Sequence, residues 1–311
     1  MRLDDLDINV NAEDQGRGGG FGFGGGSGLG GGGGLGGGLG LIIGLIASRF
    51  GIVGVLVALG IAWALGLFGG GGGSGLVSTG QPSAVGGAGV EATGAAACQR
   101  NEQQLFSCRV LSSTNQTWEA LFAQQGVQYR EPKISFYQQG GRSGCGAAQA
   151  AMGPFYCPLD QGIYLDTTFF DELGTKFGAS GDFAAAYVIA HEVGHHIQTL
   201  TGASDQVRRA QAQLGQAAGN RYQVALELQA DCYAGVWAAQ NRDRIEPGDV
   251  QEGLRAAQAI GDDTLQRQAQ GYVVPESFTH GTSAQRQQWL NRGLQTGDPA
   301  ACDTFGALGL A

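Results

Sequence analysis

The stretch Asp182-Phe-Ala-Ala-Ala-Tyr-Val-Ile-Ala-His191-Glu192-Val-Gly-His195-His196-Ile-Gln-Thr199 is a run of small and apolar residues interrupted by one titratable cluster. His191 and His195 are four residues apart, a spacing that stacks them on one face of an α-helix. Two neutral imidazoles so placed can reach a single ion. Zinc fits, because it takes imidazole nitrogen at about 2.0–2.1 Å and works with three protein ligands and one open position. Glu192 follows the first histidine directly and lies beside that open position, where a general base belongs. Val188, Ile189, Ala190, Val193 and Gly194 are apolar or small, as a buried helix requires. Gly194 costs a helix interior about 1 kcal/mol relative to alanine, which points to a close approach there. Three of the four histidines of the chain sit in this stretch.

Outward from the motif, Asp182 reads as the helix N-cap and Thr201-Gly202 as its end. On the N-terminal side, Thr117–Gln125 reads as a helix, Pro132–Tyr137 and the segments around Pro154-Phe-Tyr-Cys157 and Gly162–Asp166 as short strands, and Asp171–Phe177 as a short helix. The order of these segments sets Gly162–Asp166 beside the cleft, either as an edge able to pair with an extended peptide or as an inner strand. On the C-terminal side, Ser204–Ala218, Asn220–Gln240, Asp249–Ile260 and Thr282–Leu294 read as helices, with Thr282 and Gln285 spaced as a capping box. The pattern predicts an α+β domain: a small sheet packed on a metal-binding helix, followed by a helical C-terminal half.

A third zinc ligand must come from elsewhere. Glu227, in Ala225-Leu-Glu-Leu-Gln-Ala-Asp231-Cys, is the candidate, because a carboxylate in so apolar a helix needs a partner. Asp231 lies one turn on and is suited to accept the second ring N–H of a ligand histidine. His196 and His280 are rival ligands. His196 points about 100° away from His195 and reads as a surface or packing residue. His280 sits in a loop before a helix and reads as a donor to the carbonyl oxygen of a scissile bond, with Arg286 as a supporting or alternative cation.

The composition sets the surroundings. The chain has 311 residues, 58 of them glycine, and a formal net charge of −9, which leaves little basis for binding nucleic acid. Six cysteines lie at or after Cys98, and their even number implies disulfides and an oxidising compartment, with Cys98–Cys108, Cys145–Cys157 and Cys232–Cys302 as the expected pairs. Residues 1–40 read as an acidic head and a glycine-rich flexible segment, and residues 69–97 as a Gly/Ser/Ala-rich tether. The folded domain is expected over 98–311. Residues 41–68 are apolar apart from Ser48 and Arg49 and are long enough to span a lipid bilayer as one helix. Arg2, Arg17 and Arg49 precede that span and no cation follows it before Arg100, so the N-terminus is expected in the cytoplasm and the domain outside it.

HExxH followed by ExxxD on a later helix resembles the gluzincin arrangement of zinc peptidases. The opening Met1-Arg-Leu-Asp-Asp, Pro154-Phe-Tyr-Cys157, Ile189-Ala-His-Glu-Val-Gly-His-His196, Glu227-Leu-Gln-Ala-Asp-Cys-Tyr-Ala-Gly235 and Phe278-Thr-His-Gly-Thr-Ser283 resemble, more narrowly, a bacterial family of neutral zinc metallopeptidases. The resemblance implies a zincin-like fold, zinc on His191, His195 and Glu227, and Glu192 as base. The expected activity is that of a membrane-anchored zinc endopeptidase acting on proteins or peptides. The competing expectation is a membrane-tethered binding or scaffold protein whose zinc is structural and closed by a fourth ligand such as His280.

Overall fold

The computed structural model describes residues 1–17 and 91–310. Its elements, in chain order, are β1 (Ala12–Arg17), β2 (Ala92–Thr93), α1 (Ala95–Cys98), α2 (Glu102–Gln124), β3 (Lys133–Gln138), β4 (Gly140–Ser143), β5 (Gly146–Gln149), β6 (Phe155–Cys157), β7 (Gly162–Asp166), α3 (Thr168–Thr175) and α4 (Asp182–Thr201). The C-terminal half adds α5 (Ala203–Gln213), α6 (Gln216–Gln240), α7 (Asp249–Ala259), α8 (Asp262–Gln270), α9 (Ser283–Thr296) and α10 (Thr304–Ala307). The fold is α+β with a mixed sheet, and the helical C-terminal half is as expected.

β3 is the centre of the sheet, parallel to β1 on one side and to β7 on the other. β2 closes the β1 edge, β6 lies antiparallel to β7 at the opposite edge, and the β4–β5 hairpin continues from the end of β3. One face packs Ile134, Phe136, Ile163 and Leu165 against Val193 and Ile197 of the motif helix α4. A second core gathers Phe183, Tyr187, Trp237, Ala256 and Leu290 around the other side of α4. A methyl group built on Gly194 would meet Ala230 Cα of α6 at 2.9 Å, so the close approach expected at this glycine is the α6 backbone. The three expected disulfides are all formed.

The N-terminal head departs from expectation. Residues 1–17 belong to the domain: β1 pairs with β3 and β2, and Met1, Leu3 and Leu6 enter the core around Phe183 and Tyr187. The sequence of β1 is polar because its buried groups are satisfied by hydrogen bonds. Gln15 donates to Ser135 Oγ at 2.9 Å, and Asp14 accepts from Gln104 Nε2 at 2.8 Å. After the segment outside the described residues, the elements resume at β2 (Ala92–Thr93), before residue 98. The expected transmembrane helix 41–68, and the glycine-rich segments on either side of it as far as residues 18 and 90, lie outside the described residues. Among the described residues, no helix is long and apolar enough to cross a membrane. Glu13 pairs with Thr93 and Asp14 with Ala92 across β1 and β2, so the head and the domain share one sheet. The orientation expected from the arginines, with the N-terminus in the cytoplasm and the domain outside it, turns on residues 41–68 and so lies outside the described residues.

Local corrections have local causes. Gly181 takes the N-cap position of α4; Asp182 is the first helical residue and accepts from the Met1 amine at 2.7 Å. α2 starts well before Thr117, because Ser113 and Thr117 are engaged by Trp237 Nε1 and Asn241 Nδ2, so tertiary contacts override the low helix propensity of Ser112–Asn115. α8 is absent from the expected set, while the capping box at Thr282 is present. β7 is an inner strand between β3 and β6, so the free edge nearest the motif is that of β6.

Candidate metal centre

α4 carries His191, Glu192 and His195, and α6 crosses it closely enough to bring Glu227 to the same point. Glu227 Oε2 lies 3.2 Å from His191 Nε2 and 3.6 Å from His195 Nε2. Tetrahedral zinc with bonds of about 2.05 Å separates its ligand atoms by about 3.3 Å, which the two distances to Glu227 match, and all three ligand atoms lie within 4.8 Å of one another. The two imidazole rings stand 4.7 Å apart and nearly perpendicular. Among the described residues, the only other grouping able to hold a cation is Asp182, Asp249 and Glu252, against which the Met1 ammonium already sits.

Burial works to raise the Glu227 carboxyl, but the imidazoles of His195, His280 and His191 hold it well below the usual carboxylate range. Burial likewise works to lower His191, yet Asp231 and Glu227 raise it to about 10, so an incoming cation must displace that proton. Gln223 Nε2, one turn before Glu227, donates to Glu227 Oε1 at 3.0 Å and leaves Oε2 facing the histidines.

Asp231 lies directly behind His191. Its Oδ1 accepts from His191 Nδ1 at 2.8 Å, Tyr187 Oη at 2.6 Å and Arg286 Nη2 at 2.9 Å, and its Oδ2 accepts from Arg286 Nε at 2.9 Å. Burial would raise this carboxyl, but Arg286 and His191 hold it down to about 2. The expected role of Arg286 beside a substrate carbonyl is therefore not what its geometry serves: its fork is committed to Asp231, and Nη1 donates to the Ile260 carbonyl. Replacing Arg286 with methionine strands a buried carboxylate, and urea unfolding should show a loss of about 3–5 kcal/mol, partly recovered when Asp231 is also made leucine.

His196 is fully buried and turned away from the three ligand atoms. Its Nε2 donates to the Arg130 carbonyl at 2.6 Å and its Nδ1 accepts from Tyr156 Oη at 3.1 Å, tying the metal helix to edge strand β6. Burial, opposed by the Arg130 carbonyl, pushes it down to about 4. An unfolded histidine titrates near 6.5, so stability from the neutral ring is complete above that pH and is lost as pH falls toward 4. The loss is about 3 kcal/mol. Urea melts between pH 7 and 4 should therefore decline more steeply for the parent than for His196→Gln.

His280 borders the cavity at the motif, while Asp262 holds its loop by accepting from the backbone amides of Thr279, His280 and Gly281. Asp262 Oδ1 lies 3.2 Å from His280 Nδ1, which leaves Nε2 as the ring atom free for a ligand. Burial works against the charged ring, but Glu227 and Asp262 raise its pKa above the ordinary value. His280 is not grouped with His191, His195 and Glu227, so a closed four-ligand site is not formed among the described residues. The cavity measures about 460 Å³ and runs from Gly153–Tyr156 at the β6 edge, past Glu192 and His195, to α5 and His280. Glu192 is buried on its wall, and burial pushes its carboxyl up.

Over residues 1–305 the sequence matches the family described as "Putative neutral zinc metallopeptidase". The chain belongs to this family. It is 50% identical over 230 residues to Uncharacterized protein YpfJ of Escherichia coli (strain K12), covering 73% of this chain and 79% of the relative. It is 44% identical over 220 residues to Uncharacterized protein Rv2575 of Mycobacterium tuberculosis (strain ATCC 25618 / H37Rv), covering 67% of this chain and 73% of that one. No solved structure matches. The family's description implies zinc, in agreement with the donor set of two imidazoles and a carboxylate.

Gln198, Gln223 and Asp262, which hold His195, Glu227 and the His280 loop, escape the sequence reading. Helical spacing is the one signal for two of them: Gln198 is three residues after His195, and Gln223 four before Glu227.

Proposed function

We propose that the protein is a zinc-dependent endopeptidase in which His191, His195 and Glu227 hold the ion and Glu192 is the general base. The convergence of three ligand atoms on one point with Glu192 buried beside it, at the wall of an elongated cavity, carries the reading. Zinc, when bound, supplies a Lewis acid and brings the pKa of water from about 15.7 toward about 7. Glu192, raised by burial, takes the proton of the attacking water and delivers it to the leaving amine. His280, whose pKa Glu227 and Asp262 raise against burial, borders the cavity with Nε2 turned from Asp262 and is the donor to the carbonyl oxygen as negative charge develops there. The free edge of β6 borders the same cavity and suits an extended peptide, whose backbone would pair with Phe155–Cys157.

Three disulfides support an oxidising compartment, so we place the domain, with its N-terminal head, outside the cytoplasm. Contact of residues 41–68 with lipid would have to leave residues 17 and 91 on the same face. The test is cleavage of a peptide library by the purified full chain. Internal bonds should be cut, activity should vanish with a zinc chelator, and added zinc should restore it. Cleavage that survives complete metal removal counts against the proposal.

A further inference from the structure

Among the described residues, an amide and not a carboxylate stands behind His195. Its Nδ1 lies 2.8 Å from Gln198 Oε1, one turn on in α4. Gln198 Nε2 donates to the Leu226 carbonyl at 2.6 Å and to Gln229 Oε1 at 3.2 Å. Gln229 Nε2 in turn donates to the Cys302 carbonyl at 3.1 Å. Both amides are buried, Gln198 completely.

Carbonyl oxygens can only accept. The Leu226 and Cys302 carbonyls therefore decide which way each amide is turned. Gln229 must aim its nitrogen at Cys302 and its oxygen at Gln198, and Gln198 must aim its oxygen at His195. That oxygen requires an N–H on His195 Nδ1. Protonation there leaves the lone pair on Nε2, the atom that faces Glu227 Oε2.

We propose that Gln198 and Gln229 form a one-way amide relay that sets the tautomer and ring angle of His195 as a metal ligand. The Cys232–Cys302 disulfide anchors its far end, because Cys232 belongs to α6 with Gln229 and its bond holds the turn whose carbonyl terminates the relay. The relay does for His195 with neutral groups what Asp231 does for His191 with a charge. It rests on zinc being held by His191, His195 and Glu227.

The test is a double-mutant cycle on zinc affinity in the full chain, read by competition with a chromogenic chelator. Gln198→Ala should weaken zinc about 10–100-fold. Gln229→Ala should shift affinity in the same direction, and the double variant should be no weaker than Gln198→Ala alone, because the two act in series. The cobalt(II) absorption bands of Gln198→Ala should also shift as the His195 ring loses its fixed angle. Unchanged affinity in both single variants, or losses that add in the double, overturns the relay; two purely structural amides would lower the melting temperature of the metal-free protein and leave zinc affinity alone. A parent that binds no zinc overturns the metal centre itself. Should the variants fail to fold, nitrogen-15 spectra of the unmodified metal-free chain, at a pH where the His195 ring is neutral, decide the matter: a proton on His195 Nδ1 supports the relay, and a proton on Nε2 overturns it.

Discussion

Removal of residues 1–97 is expected to abolish folding and, with it, zinc binding, even though every candidate ligand lies in what remains. The truncation takes away β1 and β2, so β3 loses one of its two parallel neighbours and Ser135 its partners Glu13 and Gln15. It also empties both cores at Met1, Leu3, Leu6 and Val10, all buried. At about 1.5–3 kcal/mol for each large apolar side chain, the loss reaches about 6–12 kcal/mol, comparable to the whole stability of an ordinary domain. The loss reaches the α4 helix, because Leu3 and Leu6 share a core with Phe183, Tyr187 and Ile189. A chain in which a short Gly/Ser linker joins Arg17 directly to Glu91 should behave oppositely. The Glu13–Thr93 and Asp14–Ala92 pairs are antiparallel, so a hairpin closes them, and shortening the loop lowers its closure entropy. Circular dichroism melts and zinc stoichiometry of the two chains provide the comparison: a cooperative transition for the linked chain and none for residues 98–311. A truncated chain that melts at the parent's temperature would contradict the placement of the head.

This N-terminal strand is also where the sequence is least transparent. A half-buried strand is read from alternating apolar residues, but Asn11-Ala-Glu-Asp-Gln-Gly-Arg17 buries Asp14 and Gln15 through hydrogen bonds and so shows no alternation. The metal helix is transparent for the converse reason. Four-residue spacing of histidines and a continuous apolar setting are both local properties, and they survive in the fold unchanged. Glu227 and Asp231 are legible because charge inside an apolar helix demands a partner, and the partners are the two histidines and Arg286. Arg286 itself misleads, since its position along the chain gives no sign that its fork turns to Asp231 and not to the cleft. Gln198 and Gln229 leave no mark in hydrophobic periodicity, because a buried amide and a solvated one look alike until their partners are known.

Glu192 carries the proposed reaction. Its carboxyl is buried at the wall of the cavity, one residue from His191, and is not among the three groups whose atoms are placed to hold an ion. Replacing it with glutamine keeps the size and burial of the side chain and removes only its capacity to take a proton. The candidate ligands His191, His195 and Glu227 keep their holders Asp231, Gln198 and Gln223, so metal binding should persist. General-base contributions are typically 10²–10⁴-fold, and kcat for peptide cleavage should fall by about that factor. The decisive measurement is zinc content together with peptide cleavage for the full chain and for Glu192→Gln. About one zinc in both proteins, with cleavage by the parent and a loss of about 10²–10⁴-fold in the variant, is the predicted result. Equal cleavage by both proteins, or a fully zinc-loaded parent that cuts no member of the library, would contradict it.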